Sequence, residues 1–231
     1  MLADIRRAAR SEGMSVHPIK TRAFYMRGYG FSPDVVVDVG VHDGTPWLYK
    51  AYPNAKFVLV DPQPGCGDAV RASGQLVDFD FHPVALGAEA GQATLNIPET
   101  KPGKGGAMAS LMERTDILVD SFSSVDTMDV PVMRMDDLLA DYSGQFGLKI
   151  DTEGFETAVL QGGPDTLKRC DFVVLELSVT QRFDGVAAPS LAISLLAQAG
   201  LEMRDILATA DGPGKRAKPR HMDVLFTRWA A

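Results

Sequence analysis

Residues 34–45 read DVVVDVGVHDGT. Four valines surround Asp38, Gly40 follows, and Gly44 precedes Thr45. A short, near-continuous apolar run that ends in a glycine turn reads as a strand covered on both faces, as in parallel sheets flanked by helices. Three further runs share the pattern: KFVLVD (56–61), FGLKID (146–151) and FVVLEL (172–177). Between the first two lies TPWLYKAYP, where Thr45 can cap a helix, Pro46 fits its first position and Pro53 stops it. SLAISLLAQAG (190–200) has helical spacing and a glycine stop. LEMRDIL (201–207) and MDVLFTR (222–228) flank the turn-forming segment DGPGKRAKPR and read as a hairpin. This alternating series predicts one α/β domain: a mostly parallel open sheet with one antiparallel edge strand and helices on both faces. Within it, residues 1–30 are expected to form a helical extension and residues 31–231 the core.

Composition narrows the partners. The chain has 231 residues, 45% of them hydrophobic and 23% charged, which suits one sizeable core. A net charge of -7 and a pI near 5.1 disfavour nucleic acid, whose binding draws on clustered Lys and Arg. Cys66 and Cys170 lack metal-ligand spacing, so the expectation is two reduced thiols in a cytoplasmic protein, without a disulfide framework or zinc site. No apolar run approaches the roughly 18 residues of a membrane span. The N-terminal MLADIRRAARSEG lacks the apolar core of a secretory signal and reads as a short amphipathic surface helix. PETKPGKGGAMAS (98–110) reads as a covering loop.

In open α/β sheets ligands bind beyond the carboxyl ends of the strands. Asp38 ends the first run, and Gly40 and Gly44 allow a tight turn and close backbone approach. Asp61 ends the second run, where a carboxylate can accept hydrogen bonds from both ribose hydroxyls. A nucleoside is implied. The turn is G-V-H-D-G, without the G-x-G-x-x-G that seats a pyrophosphate, so a nicotinamide-dependent oxidoreductase ranks second. An acid before a two-glycine turn suits a ligand bearing an ammonium and a carboxylate, such as S-adenosylmethionine.

DVGVHDGT, VLVDPQP, FHPVALGAEAGQATLNI and above all LKIDTEGFETAVLQGG followed by FVVLEL resemble the FkbM-type family of S-adenosylmethionine-dependent methyltransferases. The match runs from about residue 34 to 228. The resemblance implies the class I methyltransferase (Rossmann-like) fold, a seven-stranded sheet with an antiparallel last strand. It also implies O-methylation of a hydroxyl on a sugar, glycan or secondary metabolite. By the same resemblance Asp38, Gly40, Gly44, Thr45 and Asp61 belong to the cofactor site, with Ala85 and Leu86 at the adenine pocket. His42 stands where the family commonly has asparagine, and a ring contact to the methionine carboxylate is expected of it. Ser110 matches a serine-leucine element near the acceptor.

An alcohol acceptor must lose a proton. Asp151 or Glu153 can serve as general base with a pKa raised by burial. Alternatively, Asp151, Glu153 and Glu176 supply oxygen ligands to Mg2+. A competing structural role for Glu153 is a helix-start carboxylate near Gly154. His82 reads as a packed or capping histidine, and Asp136 or Asp137 as the N-cap of the helix that follows. Lys101, Lys104, Lys215, Arg216, Lys218 and Arg220 form two basic loops, either solvated or recognising an anionic acceptor. A module that keeps the cofactor fold without turnover is the non-enzymatic alternative.

Overall fold

A computed structural model describes residues 1–14, 16–100, 106–211 and 219–229. Its strands are β1 (Val35–Val39), β2 (Lys56–Val60), β3 (Phe79–His82), β4 (Ala85–Leu86), β5 (Gly91–Thr100), β6 (Phe122–Met133), β7 (Phe146–Ile150), β8 (Cys170–Ser178), β9 (Leu201–Asp211) and β10 (Pro219–Arg228). The helices are α1 (Leu2–Ser11), α2 (Ala23–Arg27), α3 (Pro46–Ala51), α4 (Gly65–Ser73), α5 (Met135–Leu138), α6 (Glu156–Gln161), α7 (Pro164–Lys168) and α8 (Pro189–Gln198).

The main sheet has seven strands in the order β3-β2-β1-β7-β8-β10-β9. Strand β10 runs antiparallel to both neighbours, and the other pairings are parallel. This is the class I methyltransferase sheet expected from the sequence, with one correction. The antiparallel strand is inserted between β8 and β9, and the edge belongs to β9. Burial explains the placement: Val224, Leu225 and Phe226 of β10 are fully buried across both faces, whereas Met203 and Ile206 of β9 are exposed. A strand apolar on both sides needs cover on both sides.

Alternation along the strands builds two cores. Val35, Val37 and Val39 join Leu148, Ile150, Leu175 and Phe226 under α5, α6, α7 and α8. Val36 joins Phe57, Leu59, Phe172 and Leu225 under α2, α3 and α4. Each fully buried Val, Leu or Phe adds about 1.5–3 kcal/mol. The segment before β1 is tied to the same body: Met26 is buried, and Lys20, Tyr25 and Tyr29 converge on Asp205 of β9 at 2.5, 2.9 and 2.7 Å. Cys66 and Cys170 are buried and unbridged.

A second sheet, β4-β6-β5, was not anticipated. β5 and β6 form a long antiparallel ribbon, and β4 pairs parallel with the end of β6. Most of β6 is exposed, and only its end, VPVM (130–133), is apolar enough to read as a strand leading into a helix. Leu95 and Val130 are its buried anchors, against Ala85. The segment read as a loop from 98 begins as the end of β5, and its Ser110 bridges to Asn96. Asp136 caps α7 rather than its own helix α5, accepting from the Asp165 and Thr166 N–H groups at 3.1 and 2.8 Å. His82 meets the Tyr142 hydroxyl at 3.3 Å and is packed as expected.

Candidate functional site

The carboxyl ends of β1, β2 and β7 open into a cleft. Gly40 and His42 line it from the β1 turn, Asp61 from β2, and Asp151 and Glu153 from the β7–α6 loop. Ala85 and Leu86 complete its apolar side together with Val60, Leu95 and Leu111, and Ser110 lines it beside them. Asp38, Gly44, Thr45 and Glu176 are not on its wall.

Local backbone explains the convergence. Gly40 has φ +80°, and a Cβ there would overlap the Asp151 carbonyl oxygen and come within 2.7 Å of its carbon. Gly40 thus makes room for the β7–α6 loop as well as lining the cleft. His42 and Glu153 are the two non-glycine residues with positive φ among the described residues, at 47° and 53°, and both line the cleft. Such conformations persist only where surroundings over-determine them, and they cluster at functional sites. The Asp61 carboxylate supplies one restraint, accepting the His42 and Gln63 N–H groups at 2.9 Å each. With two acceptor sites on each oxygen it retains capacity for further donors. Ser110 supplies another: its hydroxyl donates to the Glu153 carbonyl at 2.6 Å and accepts from the Met112 N–H at 2.9 Å. The Gln63 side chain donates to the Gly106 carbonyl at 3.1 Å, drawing the covering segment over the cleft.

Behind the wall, charges line up across the sheet. Asp38 is fully buried, receives the Tyr49 hydroxyl at 2.8 Å and faces Lys149 at 3.6 Å. Thr45 is the N-cap residue of α3, as read, but its side chain makes no capping bond and turns to Asp38. Burial pushes the Asp38 carboxyl above its usual range, against the opposing pull of Lys149. Lys149 also reaches Asp151 at 3.2 Å. Burial alone would lower the lysine, but Asp151 and Asp38 outweigh it and hold its pKa above the ordinary value. Asp151 is about one-third exposed; burial pushes its carboxyl up, and Lys149 outweighs that and leaves it below the usual range. This reverses the direction expected of a buried base.

Glu153 is clamped: its Oε2 lies 2.6 Å from Arg114 and 3.2 Å from Arg182. Arg182, only 1% exposed, also binds Glu176 and donates to the Ser178 hydroxyl at 3.0 Å. Desolvation, with Asp151 and Glu153 nearby, raises Glu176 well above the ordinary glutamate value in spite of Arg182. His221 stands 3.4 Å from Glu176, and burial beside Arg182 lowers its pKa to about 4. The donor set therefore does not fit Mg2+: two of its three carboxylates face guanidinium groups, and no cluster of three metal-ligating side chains exists among the described residues. The helix-start role weighed for Glu153 belongs to Glu156. Its Oε1 accepts the Thr152 and Gly154 N–H groups at 3.0 and 2.9 Å, and burial raises it to about 7.

Arg114, Arg182, Gln63 and Tyr49 are the participants that sequence reading missed. Isolated arginines in polar loops carry no periodic signal. Of the basic-loop residues, Lys101, Lys104, Lys215, Arg216 and Lys218 lie outside the described residues. Arg220 is paired with Asp116. No helix among the described residues is long and apolar enough to cross a membrane.

A family model described as the methyltransferase FkbM domain matches residues 38–213. Solved structures with similar folds include magnesium protoporphyrin IX methyltransferase (ChlM) from Synechocystis PCC 6803 with bound SAM. It is 10% identical, with 89% of this chain and 76% of that one covered and a TM-score of 0.46. Fibrillarin from Aeropyrum pernix with natively bound S-adenosyl-L-methionine is 12% identical, covering 96% and 73%, with a TM-score of 0.47. N-methyltransferase NodS from Bradyrhizobium japonicum WM9 is 12% identical, covering 89% and 92%, with a TM-score of 0.46. The comparison with curated proteins gave no match.

Proposed function

The chain belongs to the FkbM family of methyltransferases, and on that premise we propose that it transfers the methyl group of S-adenosylmethionine to a hydroxyl of a sugar, glycan or secondary metabolite. The observation that carries the reading is the cleft in which Asp61, the β1 turn and Asp151 converge. Asp61 receives the ribose hydroxyls on the acceptor capacity that the His42 and Gln63 N–H groups leave open. Val60, Ala85, Leu86 and Leu111 give the adenine an apolar seat. Asp38, turned to Lys149 and Tyr49, acts behind the wall by holding Lys149 in place.

S-adenosylmethionine supplies an activated methyl on a sulfonium, so the chain must align the acceptor oxygen and accept its proton. As the carbon–oxygen bond forms and the carbon–sulfur bond breaks, that proton passes to Asp151. Its carboxylate, ionised beside Lys149 and partly open to the cleft, is the acceptor. Glu153, held by Arg114 and Arg182, fixes the loop that presents Asp151. No step runs through a metal.

Calorimetry with S-adenosylmethionine and NAD, followed by labelled methyl transfer to a panel of hydroxylated acceptors, tests the proposal. Asp151→Asn should bind the cofactor as the wild type does and lose roughly 10²–10⁴-fold in turnover. Binding of NAD alone would restore the oxidoreductase reading. Cofactor binding with no transfer across the panel would favour the non-catalytic module.

A further inference from the structure

The N-terminal stretch carries features that methyl transfer does not use. Besides Lys20, which is held by Asp205, residues 1–27 hold five cations, Arg6, Arg7, Arg10, Arg22 and Arg27, against two acids, Asp4 and Glu12, in a chain of net charge -7. Six of the fourteen exposed large apolar side chains among the described residues fall in the same stretch: Met1, Ile5, Met14, Val16, Ile19 and Phe24. Helical spacing sets Ile5, Ala8 and Ala9 of α1 along one side and Arg6, Arg7 and Arg10 along another. Nearly all of the described α1 side chains are exposed. Beyond it, a shallow open groove gathers Ile19, Phe24 and the half-buried Trp47 with Arg22, Arg27 and Lys50, and no carboxylate lines it.

We propose that residues 1–27, with the start of α3, form a docking face for an anionic lipid surface. Interleaved cations and apolar tips match the two layers of such a surface: the tips enter the boundary between headgroups and acyl chains, and the cations meet the phosphates. Nucleic acid would satisfy the cations and leave the apolar tips in water. A folded acidic partner would need a concave seat for tips spread along a helix and the residues that follow it. A fluid bilayer adapts to them. Docking there leaves the methyl-transfer reading untouched, since the face contains no cleft residue.

The test is co-sedimentation of the full chain with vesicles of pure phosphatidylcholine and with vesicles containing phosphatidylglycerol. Binding to the anionic vesicles alone, weakened by salt, is expected. Combined Arg6→Glu, Arg7→Glu and Arg10→Glu should reduce the bound-to-free ratio by at least about a hundredfold, at the usual contribution of one surface cation each. Ile19→Asp with Phe24→Asp should reduce it too, while S-adenosylmethionine affinity stays unchanged in both variants. Equal binding to neutral vesicles, no binding to either, or full binding by the arginine variant overturns the proposal. So does a dimer, seen by analytical ultracentrifugation, that dissociates in the same variants, because the face would then be a contact between two copies.

Discussion

Replacing Arg182 by methionine tests the charge network behind the cleft. The side chain is 1% exposed and binds Ser178, Glu176 and Glu153 while its guanidinium lies 5.2 Å from the Phe183 ring centroid. Methionine fills most of its volume and removes every donor. Glu153 keeps Arg114, whereas Glu176 loses its guanidinium and is left beside the His221 ring at 3.4 Å. Breaking a buried pair by removing one partner destabilises by about 3–5 kcal/mol. The low end, roughly 3 kcal/mol at pH 7, is expected here because Glu176 can take up a proton rather than remain charged. The sign follows from its raised folded-state pKa: stability is full below the unfolded value of 4.5 and falls as pH rises toward the folded one. Removing Arg182 raises the Glu176 pKa further, so the deficit should be smallest below the wild-type folded-state value and grow as pH climbs above it, by up to about 1.4 kcal/mol per unit. Urea midpoints at several pH values, followed by circular dichroism, measure it. A deficit under about 1 kcal/mol at pH 7, or one that is the same at acidic and alkaline pH, would refute the reasoning.

Gly40→Ala should destabilise by more than about 2 kcal/mol, from left-handed backbone and overlap with the Asp151 carbonyl together, and lower turnover by displacing that loop; a wild-type melting temperature would contradict the close approach. Lys149→Met removes the cation that holds Asp151 below its ordinary pKa, so the acidic limb of the pH–rate profile should move to higher pH; an unmoved limb would separate Lys149 from the base. Glu156→Gln should flatten stability between pH 4.5 and about 7. The wild-type group, raised by burial, stabilises fully below 4.5 and loses that contribution as pH climbs through 7, which urea titration across the window would detect.

The sequence by itself determined the sheet's central strands and where to look for the site. β1, β2, β7 and β8 are buried on both faces, so their apolar runs stand out without tertiary information. The acids and glycines at their ends mark the loops that meet in the cleft, and LKIDTEG carries the family resemblance. Tertiary structure decided what each of those residues does. Asp38 and Lys149 are neighbours only because β1 and β7 pair in register, and that pairing turns Asp38 away from the cleft and lowers Asp151. Arg182 and Glu153 are 29 positions apart, and a buried ion pair between distant loops leaves no periodicity to read. The exposed β5–β6 ribbon and the place of β10 inside the sheet were equally hidden, since burial belongs to the packed chain and not to a window of residues.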